Sequence, residues 1–338
     1  MAARVRPAGE GDIDAVAALL HEKMNRRIPA ETWRLLLDYP WRPEASERGW
    51  LVEDAGRIVG FMGTIYSDRQ TAAGTRRFCD LSSWYLMADY RGTGVGDELL
   101  RSGMAKPDVT YQTMTARRAT GRKIRALGFS VLDATRSLFR PGHPGDDRGG
   151  SQFGNGTGKG VGSGGARENG AGDLKLIRDP AEIRKRLSAA ERQMLDDHHA
   201  LDIHHAVIEP GGPDGAGPAR LADAQNPPDE AARRFGGGGG GTWLVWQRKL
   251  KGDAVAYHEV LHASNADFLS AHAAEIAALV TVGEKAVLAI DTRMMNAGDD
   301  PGEVETIPLP RWYRSPDVAP RDVDHLYSEV LLLDQKLP

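Results

Sequence analysis

Apolar positions along the first 140 residues switch between a period near two and a period near 3.6, which predicts alternating strands and helices. Arg4 to Pro7 reads as a short strand. Asp12 to Met24 reads as a helix with Ile13, Val16, Leu19 and Leu20 on one face, and a second helix follows over Ala30 to Tyr39. Trp50 to Glu53 and Arg57 to Tyr66 are apolar strands joined by Asp54-Ala55-Gly56, a turn suited to an antiparallel hairpin. Arg76 to Met87 is a further strand, followed by a glycine-rich loop and a helix from Val95 to Ala105. Val109 to Met114 returns as a strand, Arg117 to Leu127 as a helix stopped at Gly128, and Phe129 to Leu132 as a strand. The predicted class is α/β with a mixed central sheet.

The pattern breaks after Pro141, where Gly, Asp, Ser and Asn dominate and too little apolar surface is available to offset chain entropy. Residues 143–172 read as a glycine-rich linker between an N-terminal domain (1–142) and a second mixed α/β domain (173–338). Gly154-Asn155-Gly156-Thr157-Gly158-Lys159-Gly160 superficially suggests a phosphate loop, but Gly160 stands where Ser or Thr is needed and no strand leads in. Pro210 to Pro218 and Gly236 to Gly241 read as expanded loops. In the second domain the periodicity predicts a helix over Ile183 to Leu195, strands over Trp243 to Arg248 and Ala254 to His262, a helix over Asp267 to Val280 and a strand over Ala286 to Ile290. Asp324 to Leu333 reads as a closing packed element.

Charge and cysteine usage narrow the function. A net charge of −4 leaves no basic footprint for nucleic acid or an anionic membrane, so a small-molecule partner is expected. No stretch of eighteen apolar residues and no leader-like segment are present, which points to a cytoplasmic chain without membrane insertion. The single cysteine, Cys79, lies in an apolar strand without a local histidine and reads as a small buried hydrophobe. Asp196, Asp197, His198, His199, Asp202, His204 and His205 gather metal-ligand residue types. His198 and Asp202, four apart, would share a helix face, but with no second ligand motif the preferred reading is a solvated helix end and no metal. His258 and His262 share a strand face and read as core or pocket residues.

The chemistry concentrates at Arg91-Gly92-Thr93-Gly94-Val95-Gly96. A strand running through such a loop into a helix exposes several unpaired N–H groups where the helix dipole favours an anion. Glycine lets the backbone approach phosphates closely, and Arg91 adds charge-assisted hydrogen bonds. The same glycines alone would also suit a tight turn that binds nothing. A dinucleotide fingerprint fits less well, because a hairpin rather than a first βαβ unit precedes the loop.

Trp84 through Gly96 resembles the acyl-coenzyme A motif of the GNAT acetyltransferases, R/Q-x-x-G-x-G/A after a strand, and Leu127-Gly128-Phe129 resembles that family's closing signature. The resemblance covers roughly residues 3 to 140, and the second domain reads as a degenerate copy. It implies a GNAT-like fold, with two tandem modules, acting as an acyltransferase: acetyl-CoA or another acyl-CoA donates its acyl group to an amine or hydroxyl of a small-molecule or sugar acceptor. The implied cofactor-binding set is Leu86, Met87, Arg91, Gly92, Thr93, Gly94, Val95 and Gly96, with the N–H of Leu86 or Met87 holding the thioester carbonyl. Asp80 is the nearest carboxylate at an even spacing from Leu86 and so a candidate base on the same strand face, and Tyr85, Tyr90 and Tyr111 are candidate proton donors.

The sequence departs from the family pattern where a tyrosine usually precedes the Gly-Phe signature by four residues, since Ile124 stands there, and Arg117 replaces an asparagine earlier in that helix. A non-catalytic acyl-CoA binding module therefore remains an alternative. A third reading, aminoacyl transfer from transfer RNA, needs a basic surface that the composition lacks. Looser phrases such as Leu81-Ser82-Ser83-Trp84-Tyr85 and Leu326-Tyr327-Ser328-Glu329 resemble acetyltransferase-type proteins of bacterial surface polysaccharide production. A homo-oligomer is compatible with all of these readings.

Overall fold

The computed structural model describes residues 3–71, 74–115, 121–141, 174–211, 240–251, 255–283, 285–296 and 304–333. The expected linker, the phosphate-loop-like run, Arg117 and most of the two glycine/proline loops lie outside the described residues. The N-terminal half contributes β1 (Arg4–Pro7), β2 (Trp50–Asp54), β3 (Arg57–Thr71), β4 (Gly74–Leu86), β5 (Val109–Thr113) and β6 (Ser130–Phe139). The C-terminal half contributes β7 (Leu174–Ile177), β8 (His204–Pro210), β9 (Thr242–Lys251), β10 (Val255–Ala263), β11 (Ala286–Asp291) and β12 (Glu305–Arg314). Helices α1 (Ile13–Lys23), α2 (Ala30–Arg34), α3 (Val95–Gly103) and α4 (Gly121–Ala126) belong to the first half. The second half holds α5 (Pro180–Arg186), α6 (Ala189–Asp197), α7 (Ala266–Ala271), α8 (Ala273–Val280) and α9 (Glu329–Leu332).

The twelve strands of the described residues join one sheet in the order β1-β2-β3-β4-β5-β12-β6-β11-β10-β9-β8-β7. From either edge the pattern is the same: antiparallel neighbours, then a parallel pair, β4 with β5 on one side and β10 with β11 on the other. The sequence-level expectation of a mixed α/β sheet is met, and two tandem modules are consistent with it, with one addition. Each half gives its last strand to the other: β12 pairs with β5, and β6 pairs with β11. Trp312 of β12 consequently fills the N-terminal core beside Leu99, Ile124 and Phe129, and Phe139 of β6 fills the C-terminal core beside Leu288 and Ile290.

The three central strands carry buried charge that needs partners to offset its desolvation. Asp291 accepts from Arg136 Nε at 2.8 Å, lies 2.9 Å from Arg311 Nε and 3.0 Å from Arg293 Nη1, and contacts His325 Nε2. Burial alone would raise the Asp291 pKa, but Arg311, Arg136 and His325 hold it well below the ordinary carboxylate range.

The N-terminal half's helices pack on both sheet faces. α3 and α4 cover one face with Leu99, Leu100 and Ile124. α1 and α2 cover the other with Val16, Leu20 and Trp33, and Leu332 and Leu333 from the end of the chain join that cluster. Neighbouring Leu326, Tyr327 and Leu331 pack with Ile183 and Leu187 of the second half, so the closing segment bridges both halves.

Element boundaries differ from the sequence reading in instructive places. The helix expected over Ile183 to Leu195 is two helices, because Ser188 and Glu191 form a reciprocal capping box that starts α6. The helix expected over Asp267 to Val280 is interrupted at His272. Strands β7, β8 and β12 had no counterpart in the sequence reading, and β3 and β6 run longer than expected.

Candidate functional site

Parallel pairing between β4 and β5 ends at Asp80 opposite Gln112, yet β4 continues to Leu86 while β5 stops at Thr113. The strands part beyond that point, and a cavity of about 790 Å³ lies in the opening. One wall comes from the α3 and α4 side, with Leu100, Met104, Ile124 and Phe129. Lys23, Met24 and Tyr85 contribute from the α1 side, and Ser83, Thr113 and Thr115 line the splayed strands. Such a passage can receive two reactants from opposite faces of one sheet.

A β-bulge shapes this wall. Phe61 pairs with Tyr85 and Gly63 with Ser82, so β4 carries one residue more than β3 between these pairs. Ser83 sits in the bulge with φ of 45°, a conformation uncommon for a residue with a side chain. The extra residue inverts side-chain parity along β4: Cys79 and Leu81 before it, and Leu86 after it, face α3. Asp80 therefore does not share a face with Leu86. The even-spacing expectation fails for that physical reason.

Beyond the bulge, Met87 N–H donates to Val59 O at 2.9 Å, which commits it to β3. Successive amides of a strand point to opposite edges, so the Leu86 N–H points away from β3 and toward the opening. The Leu86 carbonyl shares that edge, where Arg91 Nε donates to it at 3.0 Å. Of the two amides considered for the thioester carbonyl, Leu86 is the available one.

The loop then turns into α3 through Gly92 (φ +82°) and Gly94 (φ +93°), a left-handed region that costs a side-chain-bearing residue roughly 1–2 kcal/mol. A Cβ at either position would meet no atom within 4 Å, so open space lies over the loop. Among the described residues, no hydrogen bond leaves the N–H groups of residues 92 to 96; the first helical bonds are Asp97 N–H and Glu98 N–H to Gly94 O. Thr93 Oγ1 donates back to Tyr90 O at 2.8 Å and holds the turn, while Val95 packs into the core and Gly92, Gly94 and Gly96 line the cavity.

The candidate side chains fall in different places. Tyr85 lines the cavity. Tyr111 is fully buried, its hydroxyl accepts from Lys106 N–H at 3.1 Å, and burial raises its pKa. Tyr90 donates to Asp54 Oδ2 at 2.7 Å. Asp80 is 1% exposed and absent from the cavity wall; its Oδ2 accepts from Glu329 N–H at 2.9 Å. Burial, then the nearby Glu329 carboxyl, pushes the Asp80 pKa well up. Ile124 does reach the cavity wall, so that position presents an alkyl group.

Glu329 was not singled out from sequence, and nothing local in the sequence would have pointed to it. It is 1% exposed, and Ser83 Oγ donates to its Oε2 at 2.7 Å while Thr115 Oγ1 bonds its Oε1. Burial raises its pKa, against the opposing pull of those hydrogen bonds.

Elsewhere, His198 is buried with its ring nitrogens 2.7 Å from Met194 O and 2.6 Å from Leu326 O, which makes it a core residue rather than a ligand. No cluster of three metal-ligand side chains is present among the described residues. His258 stacks on Trp246 and His262 packs against Trp243, whose rings belong to opposite-face clusters, because β10 carries its own bulge between Val260 and His262. Burial pushes the Cys79 thiol pKa well up, consistent with a packing role.

Residues 14–106 match the family model of the acetyltransferase (GNAT) family. This segment is a GNAT domain. The fold agrees: a GCN5-related glucosamine N-acetyltransferase region of a fungal multi-domain GH3 β-N-acetylglucosaminidase superposes with a TM-score of 0.50 at 13% identity, over 93% of this chain and 38% of that one. A GCN5-related N-acetyltransferase from Kribbella flavida gives a TM-score of 0.48 at 11% identity, over 93% and 71% of the two chains. A probable N-acyltransferase from Enterococcus faecalis V583 gives 0.47 at 10% identity, over 93% and 73%. No curated protein matches the chain. Within this segment the bulged β4 and the glycine loop border the same cavity.

Proposed function

We propose that the chain transfers an acetyl or other acyl group from acyl-CoA to an amine, or a hydroxyl, of a small-molecule or sugar acceptor. The unengaged N–H groups of residues 92 to 96 at the start of α3, bordering the cavity beside the Leu86 N–H, carry this reading. They suit a pyrophosphate, with the α3 dipole and Arg91 adding positive potential. The Leu86 N–H would donate to the thioester oxygen as it gains negative charge, which lowers the barrier to attack. The acceptor would enter from the Lys23, Met24 and Tyr85 side.

Among the described residues, the C-terminal half offers no equivalent cradle. Asn265 caps α7 by accepting from Phe268 N–H at 3.0 Å, and Ser264 N–H is spent on Trp243 O. This supports a reading of one cofactor per chain. We assign that half a structural role: it supplies β12 and the closing segment to the first half.

The second reading, acyl-CoA binding without turnover, is favoured by one observation: Ile124 puts no proton donor where the leaving thiolate would lie. Thiol release from acetyl-CoA over a panel of sugar amines, aryl amines and amino acids separates the two. Release above the rate with no acceptor supports transfer, whereas saturable binding with no release supports the binding module.

A further inference from the structure

We propose that Glu329, delivered by α9, is the proton sink of the reaction and acts through the Ser83 hydroxyl. This inference rests on the acyl-transfer reading above. Ser83 lines the cavity and Glu329 lies behind it, so the hydroxyl sits between the reacting space and a buried carboxylate. With Oγ donating to Glu329 Oε2 at 2.7 Å, the hydroxyl proton is committed to the carboxylate and the oxygen lone pairs remain available to the cavity. The β4 bulge holds Ser83 there at a φ of 45°, a strain of the kind that concentrates at functional sites.

The surroundings of Glu329 are unusual for a purely structural acid. Among the described residues no Lys, Arg or His pairs with it, and the one titratable group in contact is another acid, Asp80, through the Glu329 N–H. Arg311 from β12 acts on Asp80 and is itself paired with Asp291. Burying two carboxylates side by side with so little compensation is costly, and such pairs are a recurring way of preparing a base. Among the described residues the one acid on the cavity wall itself, Asp97, is tied to Lys123 Nζ at 2.5 Å and is half exposed.

The step balances as follows. The acceptor nitrogen forms a bond to the acyl carbon, and its proton passes to Ser83 Oγ as the Ser83 hydroxyl proton passes to Glu329. The carbon–sulfur bond then breaks, and the sulfur leaves as thiolate and takes a proton from water. Glu329 returns its proton to solvent through Ser83. Glu329 is thus a positioning and proton-accepting residue, and Ser83 the group that touches the acceptor.

Thiol release from acetyl-CoA by the full chain, with glucosamine, tyramine and lysine as acceptors, tests this across the pH range in the wild type, Glu329→Gln and Ser83→Ala. Loss of general-base help predicts a kcat drop of about 100-fold in either variant, with an unchanged KM for acetyl-CoA. The acidic limb of the wild-type pH profile should vanish in both, and the double variant should be no slower than the singles. A Glu329→Gln enzyme that keeps the acidic limb, or a kcat within about two-fold of wild type, overturns the relay while leaving acyl transfer standing. If Glu329→Gln does not fold, Ser83→Ala decides by the same criteria. If the wild type releases no thiol with any of the acceptors, the transfer reading falls and the relay falls with it.

Discussion

Arg91 Nε donates to the Leu86 carbonyl at 3.0 Å, and because the Leu86 N–H shares that strand edge, one side chain holds both the start of the glycine loop and the amide that faces the opening. Arg91→Ala should therefore weaken acetyl-CoA binding by roughly ten-fold or more, since a charged hydrogen bond is worth about 1.5–3 kcal/mol. The melting temperature should barely move. Calorimetric titration of the variant checks the affinity, and unchanged binding would detach Arg91 from the site.

Gly94→Trp separates the cradle from the fold. Its backbone φ of +93° costs a side-chain residue about 1–2 kcal/mol, and nothing nearby obstructs the new Cβ, so the chain should still fold. The indole would occupy the space over the amides. Loss of acetyl-CoA binding with a retained cooperative melt is the expected outcome; full affinity would remove the assignment.

Asp291→Asn should be among the most damaging changes available. It leaves Arg136, Arg311 and Arg293 without their shared buried carboxylate, and breaking such a cluster costs about 3–5 kcal/mol. Because the folded-state pKa of Asp291 lies well below its unfolded value, its stabilisation is present above the unfolded pKa and is lost as pH falls toward the folded one. Denaturant unfolding of the wild type should thus show stability falling in acid, and in Asp291→Asn that share of the loss should be missing.

Asp80 has the opposite sign. Its folded pKa is raised, so its contribution is fully present below the unfolded pKa and disappears as pH climbs through the folded value. At neutral pH, where the carboxyl of the unfolded chain is ionised, burying Asp80 beside Glu329 costs stability. Asp80→Asn should keep the bond from Glu329 N–H and melt higher than wild type at neutral and mildly alkaline pH, with the gap closing in acid. A lower melting temperature at neutral pH would show that Asp80 is held as a compensated anion.

Much of this molecule was legible because local signals suffice for it. Gly92-Thr93-Gly94-Val95-Gly96 announces a strand-to-helix turn with free amides, and the period changes on either side of it mark β1, β2, β4 and β5 closely. What escaped depends on contacts remote in sequence. No periodicity predicts that β12 crosses to lie beside β5, or that Glu329 bonds Ser83 across 246 positions. The bulges in β4 and β10 defeated parity twice, separating Asp80 from Leu86 and His258 from His262, since one inserted residue turns every later side chain to the other face. The break before α6 was available locally in Ser188 and Glu191, a capping signal outweighed by the longer apolar period.

The central claim is a single acyl-CoA cradle per chain, and isothermal titration of the full chain with acetyl-CoA, alongside NADH, tests it most directly. The account predicts saturable acetyl-CoA binding at one per chain, competed by free coenzyme A, with no comparable heat from NADH. No acetyl-CoA binding, equal binding of NADH, or two equivalent sites per chain would contradict it.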